Sequence, residues 1–409
     1  MQRQPEKENE QVRAGSAWPD DPLQWPFAAA KFALDACLWW ADRGAPPAAN
    51  PSESTLSWTT PNTVALELSS MRLRDFSRKP AGQSVLICAP FALHRALIAD
   101  FAAGHSVVAS LQHGGLDRIF LTDWHSASPE MQYLSIDSYL SDLNVAIDGI
   151  GSPVDLVGLC QGGWLSLVYA ARFPEKIRRL VLVGAPVDLS IDSALSHLVR
   201  NAPQAVFEQL VARGGGNVSG EEMLRCWTKP LSPQDVETAL QRSLSTEAAG
   251  GGELLDRFNK WNEEPLNLPG TYYLQVVNWI FRENRIATGC FVALGRTINL
   301  EDVKTPVFLL VGQDDEVVPA EQGLATARLL GTAASSETAL EACNHLGLFL
   351  GARVHANSWS RIAGWLQGDM TGFRTSGTHP EPQAHNPVTD VNIPAARPEV
   401  PFAIAAMPA

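Results

Sequence analysis

The chain has 409 residues, 45% of them apolar, which is enough to build a large buried core. Acidic residues outnumber basic ones, 44 against 31, so we do not expect a nucleic-acid partner. No stretch of about 18 apolar residues is present, and the first ten residues do not resemble a signal peptide, so neither a transmembrane segment nor a secretory leader is expected. Six scattered cysteines without C-x-x-C spacing are typical of reduced cytoplasmic thiols and not of a disulfide framework or zinc site.

The two ends of the chain differ in composition from the middle. Residues 1–17 are polar and charged and are predicted to be disordered. We assign residues 18–62 to an N-terminal helical segment and linker, in which the Ala-rich run 25–43 favours a helix. That helix is expected to pack on the core, with docking on an apolar surface as the alternative. Residues 369–409 are Pro-rich, lack periodicity and are predicted to form a disordered tail.

Between these ends, short apolar runs alternate with helical patterns. Strands are predicted at 64–68, 72–76, 84–89, 119–122, 156–159, 180–183, 306–311 and 337–341. Helices are predicted after Arg95 to about residue 111, at 136–150, at 164–171 and at 352–366. Strands and helices joined by short connections indicate βαβ units and a mostly parallel sheet.

The alternation stops after Asp188 and resumes near residue 296. Residues 189–295 read as helices and loops, with Gly-rich breaks, and therefore predict a helical lid insertion over the sheet. The core is then formed from two parts of the chain, 63–188 and 296–368.

The most informative stretch contains a cysteine between glycines. Gly158, Cys160 and Gly162 follow an apolar strand and precede a helical pattern, with the spacing G-x-C-x-G. This arrangement is typical of the nucleophile elbow of α/β-hydrolases, where a sharp turn exposes the nucleophile and small neighbours are needed. A cysteine at a helix N-terminus is favoured as a thiolate. We therefore predict an α/β-hydrolase fold with Cys160 as nucleophile.

A base and an orienting acid are expected to follow the nucleophile in the order acid, then His. The strand at 306–311 ends in Asp314 and Asp315, and His345 lies just past the last predicted strand. Both positions fall at the same edge of the sheet as Cys160. We predict Asp315 as the acid, although spacing alone does not separate it from Asp314, and His345 as the base.

Two backbone donors are expected to stabilise an oxyanion. One is the N–H of Gln161, directly after the nucleophile, and the second comes from the loop after the 84–89 strand, near Phe91 or Ala92. His94 and His125 lie on loops at the same edge and are more typical of polar loop residues than of participants. A cysteine nucleophile exchanges readily with thioesters, which favours acyl transfer from a coenzyme A thioester over amide hydrolysis.

Several segments together resemble the polyhydroxyalkanoate (PHA) synthase family. The box Gly158-Leu-Cys-Gln-Gly-Gly163 matches the family's G-x-C-x-G-G form, and the residues after it, to Asp188, resemble the catalytic subunit of the short two-component synthases. The segment from Trp261 to Tyr273 resembles the W-N-x-D-x-x-N-L-P segment of the single-component synthases. The similarity spans roughly residues 84–366.

The resemblance implies that Cys160 carries the acyl group and that His345, oriented by Asp315, activates both the thiol and the incoming 3-hydroxyl group. The implied substrate is 3-hydroxyacyl-CoA, with PHA polyester as product and no metal or prosthetic group. We expect substrate contacts from Trp164 in the elbow helix and, in the lid, from the residues Trp261, Asn267 and Tyr273. The family also implies a homodimer, or a pairing with a second synthase subunit, at the surface of cytoplasmic PHA granules.

Other features keep two alternatives open. Synthases usually carry His where this chain has Glu316, and Gly where it has Asn344. Residues 89–95 and 122–124 resemble intracellular PHA depolymerases, which also use a Cys–Asp–His triad but have Pro where this chain has Gly162. The first alternative is therefore a cysteine hydrolase, either such a depolymerase or an acyl-CoA thioesterase. The second is a granule-associated protein without catalysis.

Overall fold

A computed structural model of the chain describes residues 56–227, 251–331 and 336–368. The predicted helix at 25–43, both predicted disordered ends and part of the predicted lid lie outside these residues. None of the helices in the described ranges is long and apolar enough to cross a membrane.

The core is one eight-stranded sheet. Its strands are β1 (Thr63–Glu67), β2 (Met71–Asp75), β3 (Ser84–Cys88), β4 (Arg118–Trp124), β5 (Val154–Leu159), β6 (Ile177–Val183), β7 (Val307–Gly312) and β8 (Ser336–Glu341). They lie in the order β1-β2-β4-β3-β5-β6-β7-β8. The pairs β1–β2 and β2–β4 are antiparallel, and all later pairs are parallel. The predicted mostly parallel sheet is confirmed.

The central strands are completely buried, which accounts for their continuous apolar runs in the sequence. Every residue of β3, β5 and β7 is buried, because helices cover both faces of a parallel sheet. The carboxyl ends of the parallel strands meet at one edge, where ligands bind in open α/β sheets. That edge therefore collects the loop after β3, Cys160 after β5, Gly184 after β6, Asp315 after β7 and His345 after β8.

Helices pack on both sides of the sheet. They are α1 (Val107–His113), α2 (Ile136–Ile150), α3 (Gln161–Arg172), α4 (Ala194–Asn201), α5 (Gln204–Arg213), α6 (Gly220–Trp227), α7 (Gly251–Asn262), α8 (Gly270–Gln275), α9 (Ala320–Leu329), α10 (Gly347–Leu350), α11 (Ala352–Val354) and α12 (Ser360–Gln367). Wider π-helical turns extend α8 through Val276–Arg282 and join α11 to α12 through His355–Trp359. The helices predicted at 136–150 and after the nucleophile are confirmed.

The helix predicted between Arg95 and residue 111 is wrong over its first half. Residues Ala96–Ala99 form a 3-10 turn, and Asp100–Ala102 pairs with His105–Ser106 in a short hairpin. The hairpin turns at Gly104, whose φ of +79° a helix does not allow. The buried Asp100 carboxylate also accepts three hydrogen bonds, two from Thr60 and one from the Ser106 hydroxyl, and these fix a non-helical backbone.

Between β6 and β7 the described residues add nothing to the central sheet. They form α4 to α8 and two short antiparallel strand pairs, Asn217–Val218 with Leu268–Pro269 and Val292–Ala293 with Arg296–Thr297. This mostly helical insertion agrees with the fold predicted from sequence; its action as a lid stays a prediction.

Candidate active site

Cys160 occupies the sharp turn between β5 and α3. Its backbone has φ 49° and ψ −117°, and its N–H donates to the carbonyl oxygen of Val183 at 2.8 Å. A side chain at Gly162 would place its Cβ 2.2 Å from the carbonyl oxygen of Cys88, so the turn requires glycine there. The strained conformation that presents the thiol is thus held by the neighbouring strands β6 and β3.

His345 and Asp315 form a buried pair at the same edge of the sheet. The Nδ1 atom of His345 lies 2.7 Å from Oδ2 of Asp315. The second carboxylate oxygen of Asp315 accepts the N–H groups of Val317 and Val318 at 2.9 and 2.7 Å. Asp314 is exposed. The geometry therefore pairs His345 with Asp315, the choice that spacing in the sequence left open.

The ring of His345 also contacts Cys160. Because Nδ1 is bonded to Asp315, the hydrogen bond between the ring and the Cys160 side chain is made by the other ring nitrogen, Nε2. Burial alone lowers the pKa of His345, but the charge of a Cys160 thiolate and the bonds to Asp315 and Cys160 outweigh it and raise the pKa well above 6.5. The contacts connect thiol, imidazole and carboxylate in one chain.

Removing the thiol should lower the His345 pKa. In a Cys160→Ala variant the His345 ring retains its hydrogen bond to Asp315 but loses the thiolate, whose negative charge favours the imidazolium. The NMR signal of its Cε1 proton should therefore titrate at lower pH than in the wild type. In the wild type the imidazolium stabilises the folded state below the ordinary pKa of 6.5, and this contribution is lost as pH rises through the higher folded-state pKa. An unchanged titration in the variant would contradict the coupling.

Gly184 at the end of β6 leaves room for the imidazole. A Cβ at this residue would lie 3.1 Å from Cε1 of His345 and 2.9 Å from Cδ1 of Leu348, and its φ is +52°. Gly184→Ala should therefore displace the ring and lower activity by about tenfold to a hundredfold, since small misplacements of a reacting group are costly. Gly149→Ala in α2 is the matched control, because nothing lies within 4 Å of its Cβ. It should keep full activity and gain up to about 1 kcal/mol in stability, and equal losses in both variants would contradict this role of Gly184.

The two predicted oxyanion donors come from different elements, the start of α3 and the loop after β3. Gln161 is the first residue of α3, where backbone N–H groups have no acceptor within the helix. The side chain of Phe91 is buried in an aromatic cluster, and its carbonyl oxygen accepts the hydroxyl of Tyr272 at 3.2 Å. Ala92 and Gln161 line the same small cavity. The loop after β3 thus reaches the residue that follows the thiol.

That cavity has a volume of about 110 Å³ and is lined mainly by apolar side chains. Its wall comes from the loop after β3 and from the insertion, including Tyr273, Val277 and Phe281. An apolar pocket beside a nucleophile is suited to the alkyl part of an acyl group.

The other predicted substrate-binding residues lie elsewhere. Trp164 is fully buried within α3, on the core side of the elbow. Trp261 stacks on His94, with ring centres 4.2 Å apart. The side-chain oxygen of Asn267 accepts the Gly220 N–H, and its backbone N–H donates to the Ser126 hydroxyl. Of the four residues, only Tyr273 lines the cavity beside Gln161.

Sequence reasoning missed Tyr272 and Gly184. The phenol of Tyr272 is close enough to Cys88 and Cys160 for their charges to add to burial in raising its pKa. Its sequence signal is weak, since Tyr272 is one of two adjacent tyrosines in the segment that resembles the synthases. For Gly184, a glycine after a buried strand was visible, but the ring it accommodates is 161 residues away (345 − 184).

Comparisons with known proteins agree with this geometry. The sequence profile of the alpha/beta hydrolase fold family matches residues 121–352. The chain is 27% identical over 343 residues to the poly(3-hydroxyalkanoate) polymerase subunit PhaC of Haloferax mediterranei, covering 80% of this chain and 69% of that protein. It is 28% identical over 287 residues to the protein of the same name from Synechocystis sp., covering 67% of this chain and 75% of that protein.

Among solved structures, the monoacylglycerol lipase of Paleococcus ferrophilus matches with a TM-score of 0.50 and 18% identity, covering 73% of this chain and 99% of that one. This likeness concerns the fold. The sequence relatives confirm the resemblance to PHA synthases that the motifs indicated. The family profile covers more than half of the residues, and the sheet order and elbow fit it. The chain belongs to the alpha/beta hydrolase fold family.

Proposed function

We propose that this protein polymerises 3-hydroxyacyl groups from their coenzyme A thioesters into a polyester and releases coenzyme A. The observation that carries the proposal is the connected chain of Cys160, His345 and Asp315 at a nucleophile elbow. The similarity to proteins named poly(3-hydroxyalkanoate) polymerase subunits supports the choice of substrate.

In the first step the thiolate of Cys160 attacks the thioester carbonyl carbon. A tetrahedral oxyanion forms, which the N–H of Gln161 and an N–H of the loop near Phe91 stabilise. The C–S bond to coenzyme A then breaks, and its sulfur takes the proton that His345 had accepted from Cys160. The acyl group is now a thioester on Cys160, with little change in bond energy, because one thiolate has replaced another of similar basicity.

In the second step His345 takes the proton from the 3-hydroxyl group of another hydroxyacyl unit. The resulting oxygen attacks the acyl carbon on Cys160, an ester bond forms, and the Cys160 sulfur leaves. Asp315 holds the imidazole in the tautomer whose free nitrogen faces the reacting groups and supports its positive charge. When that unit is itself a coenzyme A thioester, the lengthened chain is again an acyl-CoA, which Cys160 attacks in the next round with release of coenzyme A. Repetition of the two steps thus adds one unit each time.

The reaction needs an acyl-enzyme that lasts until an alcohol arrives, so water must be kept away from it. We infer that the insertion between β6 and β7 has this role as a lid, since its residues supply much of the wall of the apolar cavity beside Gln161. We expect the insoluble product to keep the protein at the surface of polyester granules. The homodimer or second synthase subunit implied by the family stays a prediction.

The decisive assay gives purified protein 3-hydroxybutyryl-CoA and follows thiol release and the acyl group together. We expect stoichiometric release of coenzyme A with insoluble polyester accumulating. Release of coenzyme A with free 3-hydroxybutyrate would instead identify a thioesterase. If coenzyme A is not released, the protein is given amorphous polyester, and liberated hydroxy acid would identify a depolymerase.

A further inference from the structure

The loop after β3 is held by the insertion at alternate residues. We call residues 91–95 the oxyanion loop, because it follows β3 at the edge where the second oxyanion donor is predicted. Three of its carbonyl oxygens accept hydrogen bonds from the insertion. The donors are the Tyr272 hydroxyl to Phe91 at 3.2 Å, the Leu266 N–H to Leu93 at 2.7 Å and the indole N–H of Trp261 to Arg95 at 3.1 Å.

Side chains reinforce these backbone contacts. The His94 ring stacks on Trp261 at 4.2 Å, and its Nε2 lies 3.0 Å from Oδ1 of Asn262. Burial lowers the His94 pKa to about 4, so the ring is neutral at pH 7 and Nε2 can donate to the Asn262 oxygen. Arg95 pairs with Glu264 at 3.4 Å. The oxyanion loop therefore has its position set by a segment about 170 residues later in the chain.

Among the residues that contact the oxyanion loop, Tyr272 also lies near the nucleophile Cys160. Its ring packs on Phe91 with centres 5.1 Å apart, and its phenol lies near Cys88 and Cys160. Burial, followed by the charges of these two cysteines, raises the pKa of Tyr272, so the phenol stays protonated and remains a donor. In a planar trans peptide the C=O and N–H point in opposite directions. The bond from Tyr272 to the Phe91 carbonyl thus fixes the direction of the Ala92 N–H.

The Ala92 N–H has no hydrogen-bond partner within residues 56–227, 251–331 and 336–368. Ala92 also lines the cavity that Gln161 and Tyr272 share. We propose that Tyr272 is a positioning residue that aims the Ala92 N–H as the second oxyanion donor, and that the insertion segment 261–272 thereby sets the geometry of the oxyanion hole.

The inference rests on the proposed acyl transfer through Cys160, and its test separates two reactions of the same sulfur. Acylation by p-nitrophenyl acetate passes through an oxyanion, whereas alkylation by iodoacetamide does not. For Tyr272→Phe we expect the rate of the nitrophenol burst to fall by about tenfold to a hundredfold. This is less than the effect of removing an oxyanion donor, because the Ala92 N–H is still present and only its direction is no longer fixed. The rate of Cys160 alkylation, followed by peptide mass spectrometry, should stay within about twofold of wild type.

Tyr169→Phe is the matched control. Tyr169 is also a buried tyrosine that donates one hydrogen bond, to Asn144 at 2.9 Å. Its ring packs on Phe173, so neither contact involves the oxyanion loop. The Tyr169→Phe variant should have the same rates of acylation and of Cys160 alkylation as the wild type. With 3-hydroxybutyryl-CoA, the loss in Tyr272→Phe should appear in kcat and not in KM, because the N–H acts on the transition state.

A second variant covers the case in which Tyr272→Phe does not fold. Trp261→Phe keeps an aromatic ring against His94 but removes the donor to Arg95, and it should show the same selective loss on a smaller scale. Equal losses of acylation and alkylation, a loss confined to KM, or wild-type acylation rates in both variants would overturn the proposal. Wild-type protein that is alkylated at Cys160 but not acylated would overturn the proposed function as well.

Discussion

Cys160→Ala is expected to lower the rate of coenzyme A release from 3-hydroxybutyryl-CoA by roughly 10⁴-fold or more. Without the sulfur no covalent acyl-enzyme can form, so the growing chain has no point of attachment. The fold should persist, because Cys160 is only half-buried and its backbone is held by the bond to Val183. A circular dichroism spectrum and melting temperature close to wild type would separate loss of chemistry from loss of structure.

The control is Cys290→Ala, which removes an exposed thiol in the insertion and should keep full activity. Cys160→Ser tests the need for sulfur itself. A hydroxyl is not held as an anion at neutral pH and exchanges poorly with a thioester, so we expect a much weaker enzyme. Substantial activity in Cys160→Ala would exclude Cys160 as the nucleophile, and a fully active serine variant would indicate an ordinary esterase.

Asp315→Asn should lower kcat on the order of 10²–10⁴-fold. The asparagine oxygen can still accept the N–H groups of Val317 and Val318, which leaves its amide NH₂ facing Nδ1 of His345. That arrangement stabilises the wrong imidazole tautomer and removes the charge that supports the imidazolium. Stability should change less than activity, because the bonds inside the loop survive.

Asp314→Asn makes the same chemical change one residue earlier. Its side chain is exposed, and its backbone N–H, which donates to the Cys343 carbonyl at 3.1 Å, is unaffected. We expect activity within about twofold of wild type. Similar losses from the two substitutions would mean that net negative charge near the site matters, and not the contact between Asp315 and His345.

Local patterns were enough to predict the fold and the nucleophile turn. The buried strands β3, β5 and β7 appear in the sequence as short apolar runs, and the glycines around Cys160 mark a turn that only small residues permit. The same reasoning went wrong at residues 96–106. A helix was predicted there, but the buried Asp100 and the turn at Gly104 produce a hairpin.

Contacts between distant parts of the chain could not be predicted in this way. His94 was recognised only as a loop residue near the site, because its partners Trp261 and Asn262 lie in a separate insertion. The choice between Asp314 and Asp315 depended on which side chain faces inward after β7, and spacing does not encode this. Trp164 and Trp261 were predicted from their place in family-like motifs, and those motifs do not distinguish packing from ligand contact.

The mass of the protein after mixing with butyryl-CoA tests the central claim, that Cys160 carries the acyl group, most directly. This donor lacks a 3-hydroxyl group, so the acyl-enzyme cannot be extended. We predict one butyryl group per chain, located on the peptide that contains Cys160, removed by hydroxylamine and absent from Cys160→Ala. Release of coenzyme A without an adduct on Cys160, or an adduct that persists in Cys160→Ala, would contradict the account.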